Sequence, residues 1–510
     1  MIRLVDGQDL DTNNVQYATL SHCWGPGGVP IKLSSSNIHY YRRQVPWHLL
    51  PLTFQEAILA AIRLGINYMW IDALCIMQDS AADWNVEASK MMQVYTNGYL
   101  NISADASADG SGGLFRQRDP AMLQSFLIPS DCAGNNIPYY CHVRNWDRYV
   151  ENAPLKMRSW VTQERFMSPR VAHFSNDQVH WECGELMTSE SVDASFHLTR
   201  YTTRTPVKSL GSLYLGLDDP EKLEQFYRLW YDLVESYSAG NLTRISDRPV
   251  AIAGLARTFS HLLKLESKDY CCGLWRPYLV LEMMWYTFRS TDRPNYSVPS
   301  WSWLSVNGDA WFKTRSTVIV YKAVTEVLNV CITASDDPFG AVLSGYLEVR
   351  APICRATIRR APEPFPWMDR SGRKCEHSII LGQDELKEGT SYFLQLDECS
   401  PEFLDKVLSP GIFLLLGQGG VGRGTNVYPR SQLGSYEVGH YECLVLTPVP
   451  SKGLFRRAGY VSFAGVTSPI GRDDGHDFCS ILDMHFQASE IPRHLYRDVD
   501  GRFMYTVILA

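Results

Sequence analysis

Glu87 is a carboxylate on or beside what its neighbours predict to be the inward face of a helix. Between Asp83 and Tyr95 the apolar residues Trp84, Ala88, Met91 and Tyr95 recur at helical spacing, and Glu87 stands three after Trp84 and four before Met91. Burying an ionised carboxylate without a partner is costly, so this group needs a cation, a hydrogen-bond donor or a proton. Two roles fit: a structural or edge glutamate, or an acid that binds or acts on a ligand.

Asp72 poses the same problem. It is the one charge in the apolar run Ile66 to Met77, which reads as a strand buried on both faces. Hydrogen bonds from backbone, or from an arginine such as Arg158 or Arg165, are its expected partners. Gln78 and Asp79 follow that strand's carboxyl end, where open α/β sheets take their ligands; turn and cap roles fit them equally. Ser21, His22 and Cys23 end an earlier strand candidate, Tyr17 to Cys23, before Trp24 and the loop Gly25 to Gly28. Alternation places Ser21 and Cys23 on one face and His22 on the other, so proximity in sequence does not make a nucleophile and base pair. Cys23 is either a nucleophile or a packed core thiol.

Other patterns fail on context. Gly417-Gln418-Gly419-Gly420-Val421-Gly422 is a literal G-x-G-x-x-G, yet Arg423 to Pro429 cannot open the helix that would hold a pyrophosphate, and a hairpin loop is expected instead. His173, His180 and Cys183, and the adjacent Cys271 and Cys272, lack zinc spacing and are expected to pack in cores. The zinc-protease pattern H-E-x-x-H and the hydrolase pattern G-x-S-x-G are absent from the sequence.

The elements that must position these residues alternate. Thr53-Phe54-Gln55-Glu56 fits a capping box at the start of a helix from Phe54 to Leu64, stopped by Gly65. After the Ile66–Met77 strand, Ser80 opens the helix carrying Glu87, and Tyr99 to Ala104 reads as the next strand. The order βαβαβ favours an open, mainly parallel α/β sheet. Arg158 to Arg165 reads as a helix and Val179 to Cys183 as a strand. Helical periodicity dominates from about 218 to 290, notably at Phe226, Trp230, Leu233 and Tyr237. Beyond Pro299-Ser300-Trp301-Ser302-Trp303 come short strands punctuated by glycine and proline, the pattern of an antiparallel sandwich or barrel. The expected domains are 1–190 (α/β), 191–297 (helical) and 298–510 (β-rich).

The chain has 510 residues, 45% hydrophobic and 20% charged, with a formal net charge of -7. That composition suits a globular chain with a sizeable core and offers no basic stripe for nucleic acid. No apolar run is long enough to span a membrane and no leader is legible, so a cytoplasmic protein is expected. The thirteen cysteines, odd in number and irregularly spaced, read as reduced thiols.

Several blocks together resemble the heterokaryon incompatibility (HET) domain of filamentous fungi. They are Tyr17 to Gly25, Leu50 to Phe54, Leu64 to Asp79, Asp83-Trp84 with Glu87, Met91, Val94-Tyr95 and Asn97, and then Gly113-Leu114-Phe115. Arg158, Trp160, Gln163-Glu164-Arg165, Ser168-Pro169-Arg170, His173-Phe174 and Trp181-Glu182-Cys183 are similar to its closing block. Asp247-Arg248, Gly273-Leu274-Trp275 and Pro299 to Trp303 resemble the region downstream of it. The chain departs from the pattern at Ala73, Met77 and Val161.

The resemblance implies non-self recognition and regulated cell death when unlike fungal cells fuse. It also implies distant kinship with TIR domains, hence a TIR- or Rossmann-like sheet, and with it hydrolysis of NAD through a helix-borne glutamate. Trp84-x-x-Glu87 is similar to that feature. On this expectation Glu87 is catalytic and Gln78, Asp79 and Trp84 line its site; Asp72 and Cys23 are the further candidate catalytic groups should another small molecule be the substrate, and Ser21, His22, Trp24, Arg158 and Glu164 are the further candidate ligand residues. No tightly bound cofactor is expected; NAD is the candidate substrate. An incompatibility partner or a second copy is the candidate protein partner, with neither nucleic acid nor membrane involved. Two other roles fit the same fold: a non-catalytic assembly protein, or an enzyme of specialised metabolism with a pocket bounded by aromatic residues such as Trp24 and Trp301.

Overall fold

A computed structural model describes residues 1–10, 15–123, 126–128, 139–141, 146–191, 220–242, 244–288, 293, 297–312, 319–360, 377–381, 384–385, 391–398, 400–408, 412–424, 436–449, 453–469, 496–499 and 504–510. The chain divides into two units, Met1–Thr243 with Val250–Leu262, and Arg244–Pro249 with Leu263–Ala510.

The first unit is built on a six-stranded sheet. Its strands are β1 (Tyr17–Ser21), β2 (Tyr68–Trp70), β3 (Leu100–Ser103), β4 (Arg170–Phe174), β5 (Val179–Cys183) and β6 (Met187–Ser189), in the order β2-β1-β3-β4-β5-β6. The pairings from β2 to β4 are parallel, and β5 and β6 add antiparallel edges, so the sheet is mixed. From β1 the chain first adds a strand on one side and then, with β3, on the other. The strand order therefore reverses between β1 and β3.

Helix α1 (Leu52–Arg63) turns Phe54, Ala57, Ala60 and Ala61 inward, into one core with Ala18, Leu20, Ile71 and Ile102. The alanines let helix and sheet approach closely. The helix stops as the sequence suggests: Gly65 has φ 78°, Ile66 N–H donates to Ala61 O, and Gly65 N–H donates to Ile62 O, a Schellman close. Its start differs. Pro51 is the cap residue, and Thr53 and Glu56 form no capping box. Thr53 Oγ1 instead donates to Gly110 O and accepts from Gly113 N–H, while Glu56 accepts from the amides of Leu114 and Phe115. Both side chains satisfy the backbone of a loop more than fifty residues away, a demand that local spacing does not reveal.

The expected strand Ile66–Met77 is also shorter. Pairing covers only Tyr68–Trp70, and the chain then makes one helical turn, α2 (Asp72–Cys75). A strand buried on both faces would leave Asp72 unsolvated and unpaired. The turn lets Asp72 Oδ1 accept from Ala73 N–H at 2.6 Å and Oδ2 from Trp24 Nε1 at 2.9 Å. Helix α3 (Ala81–Asn97) begins as the sequence suggests, with the Ser80 hydroxyl accepting from Asp83 N–H, and buries Ala88, Met91 and Tyr95. Helix α4 (Ser159–Met167) buries Ser159 and every residue from Val161 to Phe166. Phe166 stacks on Phe259 of α6 (Arg248–Leu262), and Phe259 in turn meets Trp230 of α5 (Pro220–Ser238). Trp230, Leu233 and Tyr237 are buried; the Phe226 side chain lies outside the described residues.

The second unit is β-rich. An eleven-stranded sheet includes β7 (Ile319–Ala323), β8 (Glu326–Ala334), β9 (Val342–Arg360), β10 (His377–Leu381), β11 (Ser391–Leu396), β12 (Ile412–Gly424), β13 (Tyr436–Val449), β14 (Leu454–Pro469) and β15 (Met504–Leu509). Pairing of β12 with β9 closes β12-β13-β14-β15-β9 into a ring, so the barrel alternative describes this part. Helix α7 (Pro401–Leu408) contributes Val407 to a core with Cys354, Leu414, Cys443 and Val461. Gly417 to Gly422 lie inside β12; Gln418 to Gly422 pair with β13 on one side and β7 on the other, and Gly417 is the extra residue of an irregularity between Leu416 and Gln418. They form neither a phosphate loop nor the expected hairpin loop. A Cβ at Gly417 would overlap the Met284 side chain, so the first glycine provides close packing.

No described helix is long and apolar enough to cross a membrane.

Candidate functional site

Polar side chains converge where β1 ends. Ser21, the last residue of β1, donates from its hydroxyl to Glu164 Oε2 of α4 at 2.5 Å and accepts from Asn101 Nδ2 of β3 at 3.0 Å. All three are buried. They sit at the reversal between β1 and β3, the position at which open α/β sheets take ligands.

Burial pushes the Glu164 carboxyl up to about 6, against the opposing pull of Arg158 and the Ser21 hydrogen bond. Asp72 adds to the upward push, and the Tyr95 hydroxyl opposes it. Glu164 is thus a desolvated acid, 4% exposed, whose ionisation is poised near neutrality.

Around it the chain leaves β1 through His22 and Trp24. The His22 carbonyl accepts from Arg158 Nη1, and its ring packs edge-on against Phe54. Burial lowers the His22 pKa, an effect Asp72 opposes and Arg158 reinforces. His22 Nε2 lies 3.6 Å from Asp72 Oδ1, and among the described residues neither ring nitrogen has a hydrogen-bond partner. Asp72 is 17% exposed and is held by Trp24 and Ala73; among the described residues neither Arg158 nor Arg165 bonds to it. Trp24, Arg158, Trp160 and Trp84 are half-buried, and the Trp84 and Trp160 rings meet edge to face at 6.3 Å.

A second buried network anchors α4 from behind. Arg165 Nε donates to Glu182 Oε2 at 2.7 Å and its Nη2 to Glu151 Oε1 at 3.0 Å. Glu182 Oε2 lies 3.2 Å from His173 Nε2, and Asp105 Oδ2 lies 2.9 Å from His173 Nδ1. Burial works against a charge on His173, but the two carboxylates outweigh it and raise its pKa. Burial also opposes ionisation of Glu151, yet Arg165 holds that carboxyl well below the usual range. Asp105 and Glu182 address opposite nitrogens of one ring, so they do not converge on a cation; among the described residues no group of three His, Cys, Asp or Glu side chains is arranged to hold a metal.

The residues that the sequence singles out therefore separate. Ser21, His22, Trp24, Asp72, Arg158 and Glu164 form one cluster. Gln78 donates to Asp72 O and Ile76 O, shaping the turn after α2. Asp79 is exposed and binds Ser35 through its backbone and hydroxyl, which lowers its pKa. Glu87, 24% exposed, pairs with Lys90 one helical turn on, at 3.0 Å. Burial pushes the Cys23 thiol up to about 11, and it packs with Leu155 and Val161. Trp301 is fully buried within the second unit, its carbonyl accepting from Trp285 Nε1.

Asn101 and Asp105 join these networks without a sequence motif to announce them, and Tyr95 reads from sequence as part of an apolar stripe and of the family pattern, without a polar role. Asn101 and Ser103 are the polar residues of the short apolar strand β3, and that contrast is the signal that marks them.

A family model described as Heterokaryon incompatibility protein (HET) matches residues 17–164. No curated protein and no solved structure matches the chain.

Proposed function

We propose, from the HET domain carried by residues 17–164, that this is a heterokaryon incompatibility protein whose first unit cleaves the nicotinamide–ribose bond of NAD as its signal in cell death. The observation that carries the reading is the Ser21–Glu164 hydrogen bond at the strand reversal, with its carboxyl poised near neutrality. The carboxylate role passes from Glu87 to Glu164 on physical grounds. Glu87 is partly solvated and answered by Lys90, an arrangement whose field is screened. Glu164 is desolvated and fixed, the condition under which a charge acts strongly on a developing opposite charge.

In this scheme the C1′–N bond breaks, its electron pair neutralises the nicotinamide ring, and the ionised Glu164 stabilises the cationic ribose through space. Water then adds to C1′ and releases a proton. The half-buried indoles of Trp24 and Trp160 offer flat surfaces to the rings of the ligand, and Arg158 offers a cation to its diphosphate. The test is release of nicotinamide by the purified protein and its loss in Glu164→Gln.

An assembly role has its own support. Leu52, Leu59 and Ile62 are exposed and share one face of α1, with Leu64 beyond it. Ile62→Glu should then lower the mass of the species seen by light scattering while leaving nicotinamide release unchanged.

A further inference from the structure

The hydroxyl of Ser21 has one proton and stands among three side chains, Asn101, Glu164 and Tyr95. Asn101 Nδ2 can only donate, so Ser21 Oγ receives that bond at 3.0 Å, and the Ser21 proton is left for Glu164 Oε2 at 2.5 Å. The hydrogen bonds run from Asn101 to Ser21 to Glu164, with the Tyr95 hydroxyl beside both Ser21 and Glu164. Asn101 and Ser21 form a diagonal pair across the β1–β3 ladder, two residues out of register, where Thr19 pairs with Asn101 and Ser21 with Ser103. Two adjacent parallel strands therefore set the geometry, with no loop involved.

The geometry points to Ser21 and Asn101 as a positioning pair that keeps Glu164 in its acceptor form and fixes the orientation of its carboxyl group for the ligand. This rests on the proposed role of Glu164. The pair acts against a strong opposing influence. The groups facing Glu164 are Arg158 at the head of α4, Asp72 of α2, Tyr95 of α3, and Ser21 of β1; Arg158, Ser21 and Tyr95 favour the anion, while burial and Asp72 disfavour it. Cys23, just beyond β1, is near enough to feel the Glu164 charge and is itself neutral, its thiol pushed up to about 11 by burial. Removing a donated bond to a charged acceptor takes more support from the anion than from the neutral acid, which accepts the same bond more weakly.

The test tracks the protonated-carboxyl infrared band that disappears in Glu164→Gln, titrated from pH 5 to pH 8 in the full chain. Because it reads the proton and not turnover, it stands whether or not NAD is cleaved. Ser21→Ala should move the midpoint of that band upward by about one to two pH units. Ser21→Cys, with a weaker donor of similar size, should move it part of the way, and Ser21→Thr should restore it. Where nicotinamide release is measurable, the acid limb of its pH profile should move by the same amount. A purely structural role would lower the melting temperature and leave the midpoint in place. An unchanged midpoint in folded Ser21→Ala, or in Ser21→Cys if the alanine variant does not fold, overturns the proposal.

Discussion

Ser21 donates a hydrogen bond of 2.5 Å to Glu164, a residue 143 positions further along the chain. The bond joins the end of the second-placed strand of the sheet to a helix buried on almost every side, and it places an acid where α/β sheets meet ligands. Its consequences for acidity, stability and turnover are measurable.

The acid limb of activity and the stability contributed by Glu164 should run in opposite directions. The folded carboxyl ionises at about 6, above the ordinary glutamate value of 4.5. The native state thus binds the proton more tightly than the unfolded chain. Its contribution is fully present below the unfolded pKa and is lost as pH rises through the folded one, a change of roughly 2 kcal/mol. Nicotinamide release should fall as pH drops below the folded value and the anion is lost. Melting temperatures of the protein and Glu164→Gln should diverge in favour of the variant as pH rises from about 5 to about 7; a constant gap would contradict the assignment.

Arg165 holds two carboxylates, the buried Glu182 and the half-buried Glu151. Arg165→Met should destabilise the first unit by about 3–5 kcal/mol, because it leaves the buried Glu182 charge without its cation. Urea denaturation monitored by tryptophan fluorescence reads the loss. Destabilisation below about 1 kcal/mol would mean the network carries little of the fold.

Gly25 sits directly after Trp24 with φ 73°, and a Cβ there would lie 2.6 Å from Asp109 Cβ. Gly25→Ala should therefore cost about 1–2 kcal/mol or more from the left-handed backbone and the clash together. It should also disturb the Trp24–Asp72 bond, visible as a changed indole fluorescence. An unaltered melting curve and spectrum would show that the loop yields freely.

Cys23 should be inert. With its thiol raised to about 11 by burial, almost none is thiolate at neutral pH. Brief iodoacetamide treatment and mass spectrometry should show the exposed Cys331 labelled well before Cys23. Early labelling of Cys23 would return it to consideration as a nucleophile.

Elements set by local chemistry are legible in the amino-acid order alone. Gly65 ends α1 and Ser80 opens α3 because the residues that close or cap a helix act within a turn of it. Thr53 and Glu56 mislead for the complementary reason: their side chains satisfy a distant loop at Gly110 to Phe115, which no spacing encodes. The single charge of Asp72 points correctly to a special environment and to a backbone donor, the Ala73 N–H, but the Trp24 indole is a partner no spacing shows, and a helical turn replaces the long strand. Glu164 stands among the closing residues of the family pattern, but its partners Ser21 and Asn101 come from β1 and β3. The pairing of β1 with β3 brings Ser21 and Asn101 together, and the packing of α4 brings Glu164 to them.

The most direct test compares nicotinamide release from NAD by the purified chain, by Glu164→Gln and by Glu87→Gln, each checked for an unchanged fold by circular dichroism. The expected result is release by the unaltered chain, its loss by roughly a hundredfold or more in Glu164→Gln and its retention within a few-fold in Glu87→Gln, since removing a preorganised charge costs about 3 kcal/mol of transition-state stabilisation. Equal release by the unaltered chain and Glu164→Gln would contradict the account.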